Sequence, residues 1–172
     1  TIKNAIKGVD SVVNLVGILA EWGIQSFNNL HTIGASNLAK ASSAAGVKNF
    51  VHISALGANS KSASLYARTK AAGEQRVLAE FKEAVVLRPS VIFGAEDKFF
   101  NLFAAISRFT FFMPAFGCPV FPKLQLFKNG RLINANFYGD GGTKFQPVYV
   151  GDVADAIMVA LQNQQTQGHI YE

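Results

Sequence analysis

The chain has 172 residues, with 16 Lys and Arg against 11 Asp and Glu, for a formal net charge of +5. Its 49% hydrophobic and 16% charged content excludes a disordered chain, and its length suits one domain able to bury a sizeable core. Cys118 is the single cysteine, which excludes a disulfide framework and a Cys-rich zinc site.

The opening Thr1-Ile2-Lys3-Asn4 lacks the shape of a signal peptide and reads as an internal fragment or a trimmed polypeptide. Residues 11–17 (SVVNLVG) form a β-branched apolar run ending in Gly, the character of a buried parallel strand. Phe27, Leu30, Gly34, Leu38, Ala41 and Ala45 follow at helical spacing, and Gly46 supplies the stop. Residues 48–54 (KNFVHIS) read as a second strand. A helix is expected over 62–81, with Ala67, Ala71, Val77, Leu78 and Phe81 available to pack. Residues 83–88 (EAVVLR) form a third strand that Pro89 ends, because proline cannot donate to a ladder. Such alternation argues for βαβ units and a parallel sheet covered on both faces.

After Gly94 the pattern changes. An amphipathic helix is expected over 97–112, with the acidic pair Glu96-Asp97 at its N-terminus, where negative charge favours the helix dipole. A Pro-marked loop follows, and residues 124–127 and 132–138 flank Asn129-Gly130, a dipeptide suited to a type I′ hairpin turn. Residues 146–150 (QPVYV) read as a strand, 152–162 as a helix with Ala156, Val159 and Ala160 inside, and 169–172 as a last strand.

The charge is unevenly placed. The 42 positions from 98 to 139 carry Lys98, Arg108, Lys123, Lys128 and Arg131 and no acidic residue, while 12 of the 15 phenylalanines lie from Phe93 to Phe145. Five cations over that length are too sparse to argue for nucleic-acid binding. The segment reads either as core and pocket lining or as a membrane-surface helix with basic residues on its polar face. Asn101, Ser107, Arg108 and Pro114 interrupt it, so it is not a transmembrane span. His31, His52 and His169 are scattered without H-E-x-x-H or H-x-x-E-H spacing, so no metal site is expected, and no G-x-S-x-G elbow occurs.

Tyr66-Ala67-Arg68-Thr69-Lys70 is the sharpest chemical motif. Residues four apart share a helix face, so a phenol and an ammonium can converge on one point. A nearby ammonium stabilises phenolate, which is expected to lower the Tyr66 pKa towards a general-acid range. Alone, the spacing also fits an exposed helix pair. Its setting, between a strand ending in Ser54 and one ending in Leu87-Arg88-Pro89-Ser90, strengthens the chemical reading.

VVNLVG, the helix around Gly34-Ala35-Ser36-Asn37-Leu38, VHISALGAN, YARTK, VLRPSVIFG and QPVYVGDVADAI resemble, in order, the motifs of extended and atypical short-chain dehydrogenase/reductases, which are similar to NAD-dependent epimerases and dehydratases. HISALGAN, YARTKAAGE and IFGAEDKFFN resemble the branch of the NADPH-binding complex I alpha-subcomplex subunit 9 family and its bacterial homologues. The resemblance covers nearly the whole chain, the 124–138 hairpin being less diagnostic. It implies an α/β, Rossmann-like, doubly wound parallel sheet, incomplete here, with a smaller substrate or partner region. Residues 1–93 would be the later part of the dinucleotide domain, 94–145 the substrate or partner region, and 146–172 the returning strand and helix.

The resemblance also implies roles. Asn14, Leu15, Val16 and Gly17 would lie beside the adenosine and pyrophosphate of NADP(H) or NAD(H), in keeping with ligands binding beyond the carboxyl ends of parallel strands. Ser54 would stand close to the nicotinamide. Tyr66 would donate or accept the proton, and Lys70 would lower its pKa and hold the nicotinamide ribose. Pro89, Ser90 and Val91 would border the carboxamide through backbone groups. The implied place is the bacterial cytoplasm, peripheral at the inner membrane, or the matrix side of the mitochondrial inner membrane, with respiratory complex subunits or a membrane surface as partners of 98–139.

Three departures stand against full activity. The carbonyl-polarising hydroxyl of active relatives aligns with Ala55, unless Ser54 takes its place; losing such a donor costs about 10²–10³ in rate by analogy with an oxyanion donor. His31 stands where many relatives carry Asn and reads as a helix-packing residue. No G-x-G-x-x-G or G-x-x-G-x-x-G occurs, and Gly139-Asp140-Gly141-Gly142 has the spacing of a turn, so the chain is expected to lack the first strands and the phosphate loop and, by itself, to bind NAD(P) poorly. Two functions remain open. One is a subunit holding NADPH with weak or no catalysis, in a membrane respiratory complex or a quinone-related process. The other is an active NAD(P)-dependent oxidoreductase or epimerase using Tyr66 and Lys70 on a small or lipid-like carbonyl or sugar substrate.

Overall fold

β1 (Ser11–Asn14), β2 (Asn49–Ile53), β3 (Val85–Leu87) and β8 (Ile170–Tyr171) form one parallel sheet in the order β1-β2-β3-β8. The computed structural model describes residues 2–97, 99–109, 123–124, 135–136 and 145–172. It contains two units, Thr1–Ile92 with Val148–Glu172, and Phe93–Pro147. In the first, Val13 pairs with Val51, Val51 with Val85, and Val86 with Ile170, so apolar β-branched residues run across the middle of the sheet.

Side chains alternate across the strands, and the two faces are covered by different helices. Val12 and Phe50 pack with Ala35 and Ala39 of α2 (Ala35–Ala44) and with Val77 of α3 (Leu65–Glu80). Phe50 is 1% exposed and its ring lies 5.4 Å from that of Phe81; burying such a side chain contributes about 2–3 kcal/mol. Val13, Val51, Ile53, Val85 and Leu87 face the other way, onto Ile157, Ala160 and Leu161 of α5 (Val150–Gln162). A parallel sheet with helices on both faces is the doubly wound α/β arrangement expected from the alternating elements.

The helix ends follow local chemistry. After α2, Gly46 adopts φ 75°, its N–H donates to the Ser43 carbonyl, and Val47 N–H donates to Ser42. That pair of bonds is a Schellman stop, and it needs a residue that tolerates the left-handed region. α3 begins three residues later than expected, because Ser64 is extended and its Oγ accepts from Ala67 N–H. The chain entering α2 differs from expectation: Asn28–Gly34 is π-helical, and regular helix begins only at Ala35. α5 starts at Val150, which the sequence reading placed in a strand. Its inner side is Ile157, Ala160 and Leu161, not Ala156 and Val159. Val159 is 55% exposed, because the residue that packs on the sheet recurs from Ala160 at three- and four-residue steps.

A single helical turn, α1 (Ile2–Ala5), precedes β1, and β4 (Ile92–Phe93) pairs with β7 (Val148–Tyr149). In the second unit α4 (Phe99–Ser107) is preceded by Asp97, whose Oδ1 accepts from Phe100 N–H at 2.6 Å. Asp97 is therefore the helix cap, as its charge suggested. Phe99 packs edge-on against Phe100 and Phe103, with ring centroids 5.1 Å away in each case. Residues 110–112 of the expected helix lie outside the described residues. β5 (Lys123–Leu124) and β6 (Ala135–Asn136) are antiparallel, with Lys123 opposite Asn136 and Leu124 opposite Ala135. This is the register that a two-residue turn at Asn129-Gly130 requires; the turn itself lies outside the described residues. Among the described residues no helix is long and apolar enough to cross a membrane.

Candidate functional site

β1 ends in a polar residue that is 2% exposed, Asn14. Its Oδ1 accepts from Val16 N–H at 3.1 Å, a local turn that competes with the ladder and stops the strand at Asn14 rather than Gly17. The amide orientation is thereby settled, and Asn14 Nδ2 donates to His52 Nδ1 at 3.0 Å. Leu15 and Val16 are 66% and 54% exposed, so beyond Asn14 the chain leaves the core. It then passes close to α3: a Cβ built on Gly17 would lie 3.2 Å from Lys70 Nζ and 3.7 Å from His31 Nε2.

On α3, Tyr66, Lys70 and Glu74 follow at four-residue steps along one face. Lys70 is 5% exposed, and Nζ donates to the Ile53 carbonyl at the end of β2, 3.2 Å away. Burial lowers the Lys70 pKa, an effect that the neighbouring Glu74 carboxylate opposes. Nζ lies 5.9 Å from the centre of the Tyr66 ring, so the expected pair shares a face. The expected electrostatic effect on the phenol is overturned, however. Burial raises the Tyr66 pKa, because the phenolate is removed from water.

Ser54 is 4% exposed and its hydroxyl donates to Glu74 Oε1. The same carboxylate takes two bonds from Arg88, Nε to Oε1 at 3.0 Å and Nη2 to Oε2 at 2.8 Å. Arg88 also meets Glu172 Oε2 at 3.3 Å, and hydrogen bonding to Glu74 raises its pKa further. This fork-to-fork pair fixes the carboxylate, and with it the direction of the Ser54 hydroxyl. Ala55, the other residue at this position, has no hydroxyl.

Asn14, Gly17, Ser54, Tyr66 and Lys70 thus converge at the carboxyl ends of β1 and β2. The 89–91 segment is tied to the stretch after β2: Leu56 N–H donates to the Pro89 carbonyl at 2.9 Å. The Val91 carbonyl accepts from Val148 N–H at 3.0 Å, and no hydrogen bond among the described residues links Ser90 or Val91 to Tyr66 or Lys70. The sequence reading gave no role to Glu74 or Arg88 and weighed His52 only as a metal ligand. The step from Lys70 to Glu74 repeats that from Tyr66 to Lys70, which is the signal that pointed to Glu74. Among the described residues no group of three or more His, Cys, Asp or Glu stands ready to hold a metal ion.

The family of NAD dependent epimerases and dehydratases matches residues 1–172. The mouse (Mus musculus) mitochondrial NADH dehydrogenase [ubiquinone] 1 alpha subcomplex subunit 9 is 34% identical over 173 residues, covering 99% of this chain and 40% of that protein. The Arabidopsis thaliana protein of the same name is 33% identical, covering 100% of this chain and 38% of its own length. The chain therefore spans about two fifths of these relatives. Among solved structures, MoeE5 in complex with UDP-glucose and NAD superposes with a TM-score of 0.68 at 16% identity, over 98% of this chain and 57% of that one, a likeness of fold. Matched from its first residue to its last, the chain belongs to the NAD dependent epimerase/dehydratase family.

Proposed function

We propose that the chain is part of a dinucleotide-holding subunit of the complex I subunit 9 type, which binds NADP(H) or NAD(H) with weak or no turnover. The observation that carries this reading is the Ser54 hydroxyl, committed to Glu74 within the Arg88 pair, next to Ala55. No hydroxyl at the end of β2 is then free to polarise a substrate carbonyl beside Tyr66, and a lost donor of that kind costs about 10²–10³ in rate. The raised Tyr66 pKa leaves still less phenolate available to act as a base.

The residues present fit a dinucleotide. Gly17 leaves open the space that a Cβ would fill beside Lys70, and Lys70 spends one of its three N–H groups on Ile53. Lys70 would hold ribose hydroxyls, the exposed 15–17 backbone would meet the pyrophosphate side, and Pro89, Ser90 and Val91 would border the carboxamide. When bound, the dinucleotide supplies hydride chemistry; this chain's residues supply binding and orientation. Membership in an NAD-dependent family and the names of the subunit 9 relatives support the same reading, with a respiratory membrane complex as the setting and the 98–139 segment as a partner or membrane surface.

The alternative, an active oxidoreductase or epimerase, is favoured by one observation: Tyr66 and Lys70 share a face with the ammonium near the ring. Two substitutions separate the readings. Lys70→Ala is expected to weaken NADPH binding by about tenfold or more, as removal of a charged hydrogen-bond donor does, measured by titration calorimetry. Tyr66→Phe is expected to leave both binding and cellular function intact. Loss of function in a folded Tyr66→Phe protein that still binds NADPH would overturn the holding role in favour of catalysis.

A further inference from the structure

His31 is 1% exposed and is bonded to two different elements. Its Nε2 accepts from Ile18 N–H at 3.1 Å, on the stretch that follows β1. That bond decides the tautomer: Nε2 offers a lone pair, so the neutral ring carries its proton on Nδ1. Nδ1–H then donates to Thr69 Oγ1 at 3.1 Å, and the Thr69 hydroxyl shares its one hydrogen between the carbonyls of Leu65 and Tyr66, 3.0 Å away in each case. A continuous path runs from the Ile18 amide through the imidazole to the turn of α3 that carries Tyr66. The ring is also gripped by its neighbours. Phe27 stacks on it at 5.3 Å and the Tyr66 ring meets it edge-on at 5.2 Å. Behind it, a Cβ on Gly73 would come within 2.1 Å of the His31 carbonyl oxygen, so the π-helical segment is pressed onto α3 without slack.

We propose that His31 is a positioning residue that locks the 16–18 stretch to the Tyr66–Lys70 face of α3, so that both sides of the dinucleotide site are held as one unit. The effect on dinucleotide affinity rests on the function proposed above; the mechanical link between Ile18 and α3 does not. Only the neutral ring can make this link, because a protonated Nε2 would present a donor to the Ile18 donor. The charged and titratable groups facing the ring are Lys70 and Tyr66 from α3, His52 from β2 and Glu21 from the preceding loop. Burial and then the Lys70 charge disfavour imidazolium, the Glu21 carboxylate opposes them, and the His31 pKa falls to about 4.

The test uses His31→Phe, which keeps the stacked ring without an acceptor, and His31→Gln, whose amide oxygen still offers Ile18 an acceptor and does not titrate. Exchange of the Ile18 amide by NMR and the NADPH Kd are measured in the intact protein from pH 7 to pH 4. His31→Phe is expected to speed Ile18 exchange and weaken NADPH binding, each by about tenfold, the worth of one hydrogen bond. His31→Gln is expected to restore both and to abolish the loss of Ile18 protection that the wild type shows as the pH falls. An Ile18 amide equally protected in His31→Phe and wild type overturns the proposal. So does a wild type and a His31→Gln variant that lose Ile18 protection in parallel on acidification, and this second comparison decides if the Phe variant does not fold. A wild type that binds no NADPH overturns the function proposed above, and the Ile18 amide still decides the role of His31.

Discussion

Asn14 and His52 set each other's hydrogen positions. The Asn14 carbonyl oxygen is taken by Val16 N–H, so its amide must donate to His52 Nδ1, and the His52 proton sits on Nε2. That Nε2 is buried without a partner among the described residues, an arrangement that costs about 1–3 kcal/mol. Charging the ring would cost more. Burial, then Lys70, then His31 bring the His52 pKa down to about 4, as burial does for His31. Both folded values lie below the ordinary 6.5, so between pH 6.5 and 4 the unfolded chain binds protons that the folded chain refuses. The associated stability is complete above pH 6.5 and declines as the pH falls towards 4, by about 1.4 kcal/mol per unit for each histidine. Urea unfolding at pH 7, 6 and 5 should show this decline, and His52→Leu should make it shallower. An unchanged slope in that variant would mean that His52 titrates alike in both states. A histidine between Val51 and Ile53 in a strand carries no mark of this in the sequence, because its burial depends on which helix covers that face.

α3 is the element on which most of this chemistry is mounted. Its Tyr66, Lys70, Gly73, Glu74 and Val77 lie along adjoining faces and meet, in turn, a cation, a carbonyl, a backbone, an ion pair and the core. Gly73 tests how tightly it is seated. In an open helix, Gly→Ala gains about 1 kcal/mol. Here the new methyl would stand 2.1 Å from the His31 carbonyl oxygen, a backbone atom that cannot swing away. Gly73→Ala is therefore expected to destabilise by about 1–3 kcal/mol, the usual cost of overpacking, seen as a lower thermal midpoint by circular dichroism. A higher midpoint would show that α3 and the π-helical segment are not in contact. The spacing of Tyr66 and Lys70 was legible because period alone places them together. Glu74 was legible in principle, but a helical glutamate ordinarily faces water. Its partner Arg88 lies a whole crossover away, at the end of β3. The π-helical entry into α2 was hidden for another reason: Phe27, Leu30, Gly34 and Leu38 fit a regular helix as well, and the close approach of the His31 carbonyl to Gly73 involves residues distant in sequence.

Across the whole chain the sequence showed a basic, phenylalanine-rich stretch between 98 and 139 set against an otherwise charge-balanced remainder. The parallel sheet was readable because its strands are short, apolar and bounded by Gly46 and Pro89. The role of the stretch was not, because phenylalanines serve equally to fill a core and to meet a surface. Its described part, α4, bears no charged side chain. Leu102 is 57% exposed, Phe99 40%, and Phe109 beyond the helix 88%, with Arg108 beside it. Apolar side chains open to solvent together with unopposed cations are what a helix lying on an anionic membrane surface needs. The intact protein is therefore expected to float with vesicles containing anionic lipid. It should be released as ionic strength rises, since the Debye length shrinks from about 10 Å at 0.1 M to 3 Å at 1 M. Vesicles of neutral lipid should hold it far less. Phe99→Ser with Leu102→Ser should cut partitioning by at least about tenfold, the loss of 1.5–3 kcal/mol for one fully buried apolar side chain being enough. Protein that stays at the bottom of the gradient with both lipids would assign α4 to a protein partner or to the interior, and the cations to some other anion.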